Sequence, residues 1–83
     1  MEPVRVESYS GATVNERPLR VYWRGRKMEV RKVFSRWRDP AHDGFRVICR
    51  DGTVLRLLWH RERDAWTAEF DPRPGRGSEE GTR

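Results

Sequence analysis

The chain has 83 residues, 35% of them apolar, a mean hydropathy of −1.00 and a formal net charge of +5. A domain of this size buries only about 60% of the surface its unfolded chain exposes, so a second core is excluded and the one core must draw on large side chains, here four Trp, three Phe and two Tyr. Apolar stretches such as Val47-Ile48-Cys49 and Leu57-Leu58-Trp59 stop at three residues, which excludes a membrane-spanning helix, and no signal peptide or lipidation motif is visible.

Alternation by twos recurs through residue 70 without a sustained period of 3.6. It predicts six strands, at about 3–8, 19–24, 27–37, 45–49, 53–60 and 65–70. The first is a candidate sheet edge that a partner strand could extend. The polar stretch from Tyr9 to Pro18 carries Gly11 and Asn15 and reads as a long loop.

Between the second and third strands, a two-residue loop at Gly25-Arg26 sets Trp23 against Met28, Val21 against Val30 and Arg20 against Arg31. Leu19, Val21, Trp23, Met28 and Val30 then share one face, and Arg20, Tyr22, Arg24, Lys27, Glu29 and Arg31 the other. The third strand would next turn Lys32 inward. A bulge at Arg31-Lys32 restores phase, so that Val33, Ser35 and Trp37 face Cys49, Val47 and Phe45.

After a turn over Asp39-Pro40 to Asp43-Gly44, the hairpin at Asp51-Gly52 is the most constrained. A two-residue loop would bury Arg56 opposite Val47. A three-residue loop ending in a Gly bulge pairs Val47 with Leu55 and Phe45 with Leu57, leaving Arg46 and Arg56 outside together. A four-residue loop from Arg61 to Asp64 then pairs Trp59 with Trp66, Leu57 with Ala68 and, on the outer face, Arg56 with Glu69.

All four Trp fall at inward positions, Trp37 being the one near enough to a turn to reach solvent. The fold class is all-β: a small, strongly bent antiparallel meander of about six strands, either an open curved sheet or a partly closed SH3-like or OB-like barrel. It occupies residues 1–70. Residues 71–83 contain no apolar side chain and read as a disordered tail of balanced charge.

Charge is concentrated. Arg17 to Arg38 holds nine of the eighteen basic residues and one acid, Glu29, for a net +8, while the remainder sums to −3 (8 − 3 = 5). Arg20, Tyr22, Arg24, Lys27 and Arg31 would line one side of a ribbon, with planar forks for phosphate oxygens and a ring for a base. Nucleic acid, DNA or RNA, is the expected partner. The alternatives are an acidic protein partner, for which the domain would be an adaptor, and a solvated charged face beside an aromatic core.

Cys49 is alone within an alternating apolar run, which points to a buried small hydrophobe, no disulfide and a reduced, cytoplasmic setting by default. His42 and His60 match no metal-site spacing with Cys49 or Asp43, so no metal and no other cofactor is expected. No phosphate loop, nucleophile constellation or Mg²⁺-binding acidic cluster is visible, and a non-catalytic protein is expected. Any activity would have to sit on loop residues Asn15, Glu16, Asp39, His42 and Asp43.

Several segments together resemble an uncharacterised bacterial small-domain family of unknown function. They are Val4-Arg5-Val6-Glu7-Ser8-Tyr9, Asn15-Glu16-Arg17-Pro18, Trp23-Arg24-Gly25-Arg26 with Val30 and Val33, Trp37, then Asp51-Gly52, Leu55-Arg56-Leu57 and Trp66. The Asn-Glu-Arg-Pro motif is the most distinctive piece. The Asp51-Gly52, Leu55-Arg56-Leu57, Trp66 ending is also similar to the C-terminal region of Y-family DNA polymerase-related proteins. That similarity implies a place near DNA-repair machinery and transfers no catalytic residue.

Overall fold

Six antiparallel strands wind in chain order around a closed barrel: β1 (Glu2–Tyr9), β2 (Arg17–Trp23), β3 (Arg26–Arg38), β4 (His42–Cys49), β5 (Val54–His60) and β6 (Ala65–Phe70). They are seen in a computed structural model that describes residues 1–10 and 17–71. The closure is complete where the sequence suggested a partial one. β1 bonds to β6 through Glu2–Val4 and to β2 through Arg5–Tyr9. It is therefore an internal member of the barrel and not the sheet edge expected of it.

The interior is packed with the side chains the alternation selects. Val21, Phe45, Val47, Leu55, Leu57 and Ala68 are fully enclosed, and Trp23, Trp59 and Trp66 fill the remaining width. The two C-terminal hairpins have the expected registers. Phe45 faces Leu57 and Val47 faces Leu55 across a three-residue loop, and Trp59 faces Trp66 across a four-residue one. Two buried indoles donate to carboxylates at the rims, Trp23 Nε1 to Glu2 Oε1 at 2.9 Å and Trp59 Nε1 to Asp64 Oδ1 at 3.0 Å.

The β2–β3 hairpin departs from expectation by one loop position. Its loop is Arg24-Gly25, both at positive φ (54° and 74°), the pattern of a two-residue turn whose twist matches the strands. Arg20 consequently faces Glu29, Val21 faces Met28 and Tyr22 faces Lys27. A two-residue shift preserves the faces but replaces the like-charge pair Arg20/Arg31 with an opposite-charge pair, which is the more stable arrangement.

β3 contains two register shifts, not one. The first, between Val30 and Lys32, is the expected bulge and sends Lys32 outward opposite Ile48. The second falls between Val33 and Ser35 and reverses the phase again. Val33 therefore faces Val47, while Ser35 lies opposite Arg46 and Trp37 opposite Gly44. Gly44, Arg46 and Leu58 alternate with the buried positions of β4 and β5, so Ser35 and Trp37 lie on the outer face and not in the core.

The fold extends one residue past the expected boundary at Phe70. The Asp71 amide donates to the Val54 carbonyl at 3.0 Å, and the Asp71 carboxylate is wholly buried against Arg46. The remainder of the tail, and Asn15 and Glu16, lie outside the described residues.

Candidate nucleic-acid interface

The thirteen residues of β3 carry six cations (Arg26, Lys27, Arg31, Lys32, Arg36, Arg38) and one anion (Glu29). Their net +5 (6 − 1) equals the net charge of the whole chain, so the other strands, loops and termini together sum to zero. Lys27, Arg31 and Lys32 are exposed and make no ion pair among the described residues. Arg26 is held by Asp51 at 2.8 Å and Arg38 by Asp43 at 3.2 Å.

The five residues singled out from the sequence do not behave alike. Pairing of β1 with β2 supplies carboxylates to three of them. Glu7 accepts from Arg20 Nη1 at 2.8 Å and from the Tyr22 hydroxyl at 2.9 Å, while Arg5 lies over the Tyr22 ring. The hydrogen bonds from Tyr22 and then Arg20 hold the Glu7 carboxyl below the usual carboxylate range, and the same contact raises the Tyr22 phenol.

Arg24 is claimed by Glu2, with Nε at 3.0 Å, and lies over the rings of Trp23 and Phe70. The Arg24 hydrogen bond is the largest cause of the depressed Glu2 pKa. Lys27 and Arg31 remain available for an external anion. Arg20, Tyr22 and Arg24 already have internal partners.

A neighbouring patch on the outer face of β3–β5 joins aromatic rings to guanidinium groups. Arg46 places its guanidinium 4.9 Å from the centroid of the Phe34 ring, and Nε and Nη2 both reach Asp71 Oδ2, at 2.7 and 2.6 Å. One level along, Trp37 lies against Gly44, and Arg56 sits 5.5 Å from its ring while bonded to Glu69 at 3.1 Å. Phe34 remains 42% exposed. The outward placement of Arg46 and Arg56 was readable in the sequence, but that of Trp37 depends on the second bulge, which no Gly or Pro marks.

Of the loop residues considered for catalysis, Asp39, His42 and Asp43 make contacts around the β3–β4 turn. Asp39 Oδ1 accepts from the amides of Ala41 and His42, bonds that hold its carboxyl acidic, and contacts His42 Nδ1 at 3.0 Å. Asp43 accepts from Arg61 at 2.7 Å. His42 and His60 meet edge to face with centroids 4.5 Å apart, and His60 contacts Thr67 Oγ1 at 2.9 Å. Desolvation, then Arg63 and His42, lower the His60 pKa.

Among the described residues no three His, Cys, Asp or Glu gather into a metal-holding group, and no helix is long and apolar enough to cross a membrane. Comparison of the chain with protein-family models, with curated proteins and with solved structures finds no match.

Proposed function

We propose that this barrel is a non-catalytic binding module whose partner is nucleic acid, held through its phosphates along the outer side of β3. The observation that carries the reading is the coincidence of the chain's entire net charge with one strand on which Lys27, Arg31 and Lys32 have no carboxylate partner among the described residues. Phosphate contacts of this kind supply affinity without sequence readout, and they release counterions.

Fluorescence anisotropy of a labelled oligonucleotide at about 50 and about 200 mM salt tests the reading. Three neutralised phosphates predict a log–log slope of about −2 for a single strand and about −3 for a duplex. Absence of binding by any DNA or RNA below roughly millimolar concentration at low salt overturns it.

A further inference from the structure

We infer that the preferred polymer is single-stranded, with one base stacked on Phe34, an inference that rests on the nucleic-acid reading above. Phe34 sits at the second bulge of β3, where the ladder passes from Val33 to Ser35 without giving it a partner. Bulges re-aim side chains, and this one leaves a phenyl ring 42% exposed in a strand otherwise lined with cations.

The Arg46 guanidinium covers one face of that ring. Because Asp71 fixes Arg46 from a fully buried position, the ring is backed by an ordered support while much of its surface stays exposed. Lys32, two residues earlier, is exposed and supplies a charge for a phosphate. The Trp37–Gly44 level lies two β4 residues beyond the Arg46 level, about 7 Å along the sheet. A stretched single strand can follow that course. A duplex cannot offer a base face to Phe34 without unstacking, so the aromatic contact selects against it even though the cations attract both forms.

The test compares oligothymidylate and oligouridylate of about twelve nucleotides, within the site size of small barrels, with a duplex of equal length. The wild-type protein is set beside Phe34→Ala, Phe34→Trp and a Lys27→Gln/Lys32→Gln double variant, with thermal unfolding recorded for each. The expected result is tighter binding of the single strands, weakened at least about five-fold by Phe34→Ala and restored by Phe34→Trp, with duplex affinity unchanged. The relative strength of the thymidylate and uridylate arms tells DNA from RNA.

Equal affinity for single strands and duplex, insensitive to Phe34→Ala but lowered by the double variant, overturns the stacking inference and leaves the phosphate reading standing. A Phe34→Ala variant that melts earlier yet binds single strands normally also overturns it, and makes the ring a cover for the Arg46–Asp71 pair. Absence of binding by all three polymers overturns both.

Discussion

Trp37 lies flat against Gly44 on the outside of the barrel, so closely that a Cβ at position 44 would overlap the indole ring. The glycine gives the strongly bent β3–β4 ribbon room for the ring, and the ring covers backbone that a glycine leaves bare. Gly44→Ala should therefore destabilise the protein by about 1–3 kcal/mol. For a domain of this size that corresponds to a melting-temperature loss of about 4–8 °C per kcal/mol. The same substitution in a Trp37→Ala background should cost much less, and thermal unfolding of the four proteins measures the coupling. Additive effects would show that the ring and the glycine do not meet.

Asp71, the last of the described residues, is anchored to the barrel. Its carboxylate is buried and accepts from Arg46 through two nitrogens. Asp71→Ala, or ending the chain after Phe70, leaves a half-enclosed guanidinium without its partner. Either change should lower stability by about 1–3 kcal/mol, with Asp71→Asn intermediate. Urea denaturation checks this, and an unchanged midpoint in the truncated chain would remove the pair from the fold's support.

The Glu2 and Glu7 pairs make the β1–β2 side of the barrel acid-labile. Both carboxyls have folded pKa values depressed below the reference 4.5. Their contribution is complete above that value and is lost as pH falls through the depressed folded values. A Glu2→Gln/Glu7→Gln variant should be less stable at neutral pH and decline less steeply below pH 4.5. Equilibrium unfolding at several pH values gives both slopes; parallel curves would contradict the assignment.

Cys49 sets an opposite dependence at high pH. Burial pushes its thiol up from 9.0 to about 11. The folded state thus holds this proton more tightly than the unfolded one, so stability is complete below pH 9 and is lost as pH rises towards 11. Native protein at pH 8 should resist iodoacetamide and react promptly once denatured. Cys49→Ala should flatten the alkaline decline, and rapid alkylation of the native state would contradict burial.

Cations with and without internal partners should differ in binding. Removing Lys27 or Lys32 should weaken nucleic-acid affinity uniformly across sequences and reduce the magnitude of the salt slope by about 1 each. Arg24→Gln should change the slope far less, because Glu2 already holds that guanidinium. Equal effects at all three positions would mean that the Glu2 contact gives way on binding.

What the sequence settles is the pairing of neighbours. The spacing of Phe45, Val47, Leu55, Leu57, Trp59 and Trp66 fixes which side chains share the inner face of the last two hairpins, because a one-residue slip buries Arg56 or exposes the apolar set. The outward position of Arg20, Tyr22 and Lys27 follows from the same parity and survives the shift of the loop to Arg24-Gly25.

Closure through β1 and β6, and the charge pairs between strands, had to come from the tertiary structure. Glu7 meets Arg20 across the unpatterned stretch between β1 and β2, and Asp71 meets Arg46 from 25 residues away. No alternation of adjacent residues encodes such distances. The second bulge of β3 arises where the barrel must bend, a demand made by the whole sheet and not by Phe34 or Ser35 themselves. Local phase chose which side chains face water, and the three-dimensional pairing of strands decided which of those outward charges were already neutralised.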